Sequence, residues 1–81
     1  MKYLSTGVMS IQHTFGQNVK SARKASQLTQ EALALEIDIN QAHISNIESG
    51  NIKDLSIQTV GRLAKALNTT PARLLDGCHL D

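Results

Sequence analysis

Between Thr29 and Gly50 the chain has room for two helices of about eight residues each, separated only by Asp38, Ile39 and Asn40. Thr29 is suited to cap the first, with Gln30 and Glu31 in the opening turn, where an acid suits the helix dipole. Asn40 is suited to cap the second, and Gly50 stands where a left-handed residue is wanted at its end. Helices this short are unstable alone in water, because nucleation is costly and few hydrogen bonds follow it. They persist only if Leu33, Ala34, Ile37, Ile39, Ile44 and Ile47 share one core. Ala34 is small enough to let the two helices pass closely. Two short helices across a tight turn have helix-turn-helix geometry.

The flanking sequence supplies the rest of that core. Ile11, Phe15, Val19 and Ala22 recur at spacings of four, four and three, one face of a first helix, with Lys20 and Lys24 on its other side and Leu28 at its end. Ser56 caps a fourth helix whose expected buried stripe is Ile57, Val60, Leu63, Ala64 and Leu67, ended by Asn68. Thr70-Pro71 opens a short fifth helix holding Leu74 and Leu75, and Gly77 stops it. No segment alternates in the manner of a strand, so the expected class is all-α with five helices.

Composition narrows the function. A length of 81 residues suits one domain, and 41% apolar with 19% charged residues excludes an acidic disordered tail. Tyr3 and Phe15 are the only aromatic residues, too few for a base-stacking platform on single strands. No apolar run approaches the roughly 18 residues of a membrane span, and Ser5, Thr6 and Gly7 interrupt the segment after Lys2, so neither a span nor a secretory signal is expected. Cys78 is the one cysteine, which allows no internal disulfide and no Cys/His metal spacing. Nothing orients the Cys78-His79 pair for catalysis. A cytoplasmic, cofactor-free, non-enzymatic protein is expected. Net charge is +1, but residues 1–30 hold Lys2, Lys20, Arg23 and Lys24 and no acid, while all seven acids follow. A chain so weakly charged binds DNA only if its few cations meet phosphates.

Four stretches together carry a resemblance: Thr29-Gln30-Glu31-Ala32-Leu33-Ala34, Ile37-Asp38-Ile39-Asn40, Ile44-Ser45-Asn46-Ile47-Glu48-Ser49-Gly50 and Leu63-Ala64-Lys65-Ala66-Leu67-Asn68. Over about residues 12–76 the chain resembles the lambdoid phage repressor and Cro class of helix-turn-helix domains, also called the XRE family. The resemblance implies a five-helix domain over 12–76 that works as a homodimer on a two-fold-symmetric operator in double-stranded DNA. Residues 1–11 are then a partly disordered N-terminal arm and 77–81 a tail. Asp38 departs from the usual glycine, and aspartate tolerates the left-handed turn at some cost.

Carried over by position, the resemblance implies base readout by Gln41, Ala42, His43 and Asn46 on the recognition helix. Glutamine or asparagine can pair with adenine, and an alanine methyl can meet a thymine methyl. It implies phosphate contact by Gln30 and by the backbone near Asn51 and Lys53. Lys20 and Lys24 are further candidates from their charge. Arg23 and Glu48 match a pair that locks the first and third helices together. Leu74, Leu75 and Leu80, with part of the fourth helix, are candidates for a dimer contact. The expected function is sequence-specific transcription regulation, by a repressor or small controller protein. The alternative is an antitoxin-like module that binds a protein partner, which Leu35 favours as an apolar residue on a solvent face.

Overall fold

The computed structural model describes residues 10–78. The expected arm over residues 1–9, His79 and the dimer candidate Leu80 lie outside the described residues. Within them the chain forms α1 (Ile11–Ala25), α2 (Gln30–Ile37), α3 (Gln41–Ser49), α4 (Ile57–Ala66) and α5 (Pro71–Leu74), with no strand.

Each helix starts by the same device. Ser10, Thr29, Asn40, Ser56 and Thr70 sit in extended backbone and accept a hydrogen bond from the N–H three residues on. The first four helices also end alike. Gln27, Asp38, Gly50 and Asn68 adopt left-handed conformations with φ of 60°, 60°, 79° and 55°. The following N–H then reaches back five residues: Leu28 to Arg23, Ile39 to Ala34, Asn51 to Asn46 and Thr69 to Ala64. This closure satisfies carbonyls that a helix end leaves open, and it turns Leu28 and Ile39 inward against the core.

The core draws Phe15 and Val19 from α1, Leu33, Ala34 and Ile37 from α2, and Ile44 and Ile47 from α3. Val60, Leu63 and Ala64 of α4, Leu67 after it and Leu74 of α5 complete it. Fully burying one such aliphatic side chain is worth about 1.5–3 kcal/mol, enough to hold together helices that would not form alone. Gly16 sets how closely α1 approaches α3: a Cβ there would stand 2.8 Å from the Glu48 carbonyl oxygen and closer still to that of Ile47.

Two expectations fail at the apolar ends of the fold. Ile57 does not join the buried stripe of α4 but is 90% exposed. It lies one turn before Val60, beyond the point where any described helix covers α4. Leu74 is not available for a dimer contact, being 1% exposed. It closes the bottom of the core, whereas its neighbour Leu75 is 45% exposed.

Candidate nucleic-acid interface

The turn between α2 and α3 uses all three of its residues. Asp38 supplies the left-handed step with φ 60° and ψ 48°, Ile39 anchors in the core, and Asn40 accepts from the His43 N–H at 2.8 Å. The start of α3 is thereby held on the body of the domain.

Its end is held by charge. Arg23 Nε donates to Glu48 Oε2 at 2.6 Å and Arg23 Nη2 to Glu48 Oε1 at 3.1 Å. Both residues are buried, Glu48 with only 4% of its surface exposed. Arg23 Nη1 also donates to the Leu28 carbonyl at 2.8 Å, so one guanidinium ties α1, the α1–α2 loop and α3. Gln30 adds α2 to this network: its Nε2 donates to Glu48 Oε1 at 3.1 Å. A carboxylate only accepts, which fixes the amide orientation of Gln30 and leaves its second N–H and its oxygen turned elsewhere.

With Ile44, Ile47 and Glu48 buried, the other side of α3 is open. Gln41, Ala42, Ser45, Asn46 and Ser49 are all exposed. Their spacing of one and four residues makes a single stripe along the helix. Gln41, Ala42 and Asn46, three of the expected readout residues, therefore share a face. His43 is half-buried beside them, lining a shallow cleft with Asp38, Ile39, Asn40, Ala42 and Asn46. Ser45 and Ser49, to which no readout role is assigned from the sequence, lie on the same face, Ser45 four residues after Gln41.

The expected phosphate contacts fare differently. Lys24 is exposed in the last turn of α1, and Lys20 is half-buried one turn earlier. Lys53 is exposed in the loop after α3, and its carbonyl accepts from Gln12 Nε2 at 3.3 Å. The Asn51 backbone amide is not a free donor, contrary to expectation. The left-handed turn at Gly50 directs it to the Asn46 carbonyl at 2.9 Å, leaving only the exposed Asn51 side chain.

Asn18 carried no signal in the sequence, yet its Nδ2 donates to the Leu74 and Asp76 carbonyls, both at 2.8 Å, pinning the C-terminal turn to α1. Cys78 packs beside it; burial, and then the charge of Asp76, push its thiol above the ordinary cysteine range. Among the described residues no three metal-binding side chains gather, and no helix is long and apolar enough to cross a membrane.

A family model described as Helix-turn-helix matches residues 19–74. Control protein C.BamHI of Bacillus amyloliquefaciens is 38% identical over 68 residues, which cover 83% of this chain and 83% of that protein. Control protein C.SmaI of Serratia marcescens is 34% identical over 67 residues, 83% of this chain and 79% of that one. Among solved structures, the restriction-modification controller protein C.AhdI from Aeromonas hydrophila superposes with a TM-score of 0.71 at 31% identity. That match covers 76% of this chain and 92% of the other.

Proposed function

The chain belongs to the helix-turn-helix family of DNA-binding transcription regulators, and on that premise we propose that it is a dimeric controller protein of a restriction-modification locus. In this reading each copy lays α3 in the major groove of one half of a two-fold-symmetric operator. Gln41, Ala42 and Asn46 meet base edges, with His43 at the margin. Gln30 meets a phosphate through the N–H that Glu48 leaves free, and Lys20, Lys24, Lys53 and the Asn51 side chain supply further backbone contacts. The observation that carries the reading is the open stripe Gln41, Ala42, Ser45, Asn46 on a helix whose opposite side is locked by core packing and the Arg23–Glu48 pair. Because two copies bind together, protein concentration sets operator occupancy through dimerisation. The work is binding, carried out in the cytoplasm, with no catalytic step and no cofactor.

Selection of bound sequences from a random DNA pool at physiological salt tests the proposal. Enrichment of a two-fold-symmetric motif is the expected result. Salt-sensitive background binding alone would remove it. Leu35 favours a second reading, an antitoxin-like module that binds another protein: it is 78% exposed on α2. That reading predicts no enrichment from the pool.

A further inference from the structure

The open stripe of α3 is neutral. Gln41, Ala42, Ser45, Asn46 and Ser49 bring amides, hydroxyls and a methyl to it, and no charge. The carboxylate of the helix, Glu48, is buried and held by Arg23. The next lysine along the chain, Lys53, stands in the loop beyond the helix end. His43 is half-buried in the cleft with Asp38 and Asn40, at the margin of the stripe.

This composition sorts base pairs. In the major groove guanine offers two acceptors, O6 and N7, which the parallel N–H donors of a guanidinium match. Cytosine offers an amino donor, which a carboxylate accepts. The stripe has neither group. Adenine offers N7 as an acceptor and one N6–H as a donor, and a carboxamide carries the matching donor and acceptor. The other N6–H of adenine is taken by its thymine. A methyl group on N6 therefore replaces the single N–H that the groove presents, and it stands where the amide oxygen has to be. From this chemistry we infer that α3 reads adenine only in its unmethylated form, so that N6-methylation of operator adenines releases the protein. The inference rests on the operator reading above and adds the covalent state of the base to what that operator specifies.

The fold gives α3 little freedom to make room for the methyl. Ile44 and Ile47 are fully buried, the Asn40 cap holds the start of the helix, and the Arg23–Glu48 pair holds its end. A bidentate amide–adenine contact discriminates by roughly 5- to 150-fold. An amide oxygen pressed against a methyl also gives up its water without gaining a partner, which adds to the rejection. Gln41 and Asn46 are five residues apart in sequence. That spacing is about 7.5 Å along the helix, against roughly 3.4 Å between base pairs, so the two amides meet different pairs.

The test uses the duplex enriched from the random pool, synthesised with N6-methyladenine at one adenine position at a time in both half-sites. Its affinity for the full chain is measured beside that of the unmethylated duplex. Methylation of at least one half-site position should weaken wild-type binding about tenfold or more, and methylation of the flanking sequence should not change it. Gln41→Ala and Asn46→Ala alter exposed side chains, and circular dichroism verifies the fold of each. One of them should bind more weakly but take the methylated and unmethylated duplexes alike at the position it reads. A penalty that persists in both variants would assign the discrimination to DNA shape and overturn the amide contact. Equal wild-type affinity for every methylated duplex, or half-sites whose fixed pairs are all G·C, would overturn the inference and leave the operator reading standing. A pool that yields no motif would end both.

Discussion

Gly16 lies inside a helix, where glycine costs about 1 kcal/mol relative to alanine, and in an open helix its replacement would stabilise. Here the added methyl would press on the Ile47 and Glu48 carbonyls, which belong to backbone and cannot swing aside. Overpacking of this kind costs about 1–3 kcal/mol, which outweighs the gain in helix propensity. Gly61 in α4 provides the comparison, since nothing lies within 4 Å of a Cβ built there. Gly16→Ala should lower the unfolding free energy by about 1–2 kcal/mol and Gly61→Ala should raise it by about 0.5–1 kcal/mol. Urea titrations with unchanged m-values would show the opposite signs; two gains would mean that α1 and α3 are not in close contact. Gln41 is a matter of recognition, not stability, because it is exposed on α3. Gln41→Ala should weaken operator binding by about 1–3 kcal/mol and leave binding to random DNA nearly unchanged. Equal losses on both DNAs would exclude it from readout.

At the scale of helices, one carboxylate joins three of them. Removing Glu48 leaves Arg23 buried without a counter-charge and Gln30 without its acceptor. Glu48→Ala should therefore cost about 3–5 kcal/mol, whereas replacing Arg23 and Glu48 together by aliphatic residues should cost much less. A thermal-unfolding cycle over the two single variants and the double would establish this; a double variant as unstable as the sum of the singles would show that the charges are not coupled. Asp38 closes α2 in a conformation that glycine adopts more easily. Asp38→Gly should raise stability by roughly 0.5 kcal/mol, after the greater unfolded-state entropy of glycine is deducted. The helices themselves were legible because their boundaries are written in local chemistry: Thr29, Asn40, Ser56 and Thr70 cap, and Gly50 and Asn68 close. The left-handed Gln27 was not, since glutamine carries no preference for it. The Asn18 and Gln12 side-chain bonds were also invisible, because their backbone acceptors lie 41 to 58 residues away. Periodicity placed Ile57 and Val60 on one side of α4 correctly, but it says nothing of where the covering helices stop. The same limit hid the division of Leu74 and Leu75 between core and surface.

The molecule as a whole carries a net charge of only +1, so no broad positive field draws it to DNA and individual cations decide the electrostatic share of binding. Lys20 and Lys24 come from the acid-free first part of the chain and occupy adjacent turns of α1. Lys65 is exposed on α4 and lines a cleft with Glu36, Asp38 and Arg62, a setting with two carboxylates that would repel a phosphate. Each lysine that meets a phosphate displaces condensed counterions, and its removal reduces the slope of log K against log salt by about 0.9. Lys20→Ala and Lys24→Ala should each lower the slope by up to that amount, on operator and random DNA alike, because phosphates carry no sequence. Lys65→Ala should leave it unchanged. Binding titrations over a salt series separate these cases. If the slope is the same for all three variants and the wild type, the cations of α1 do not touch the duplex. The phosphate contacts would then have to come from Lys53 and the polar groups of Gln30 and Asn51, a smaller footprint that would make the operator interaction markedly less sensitive to salt.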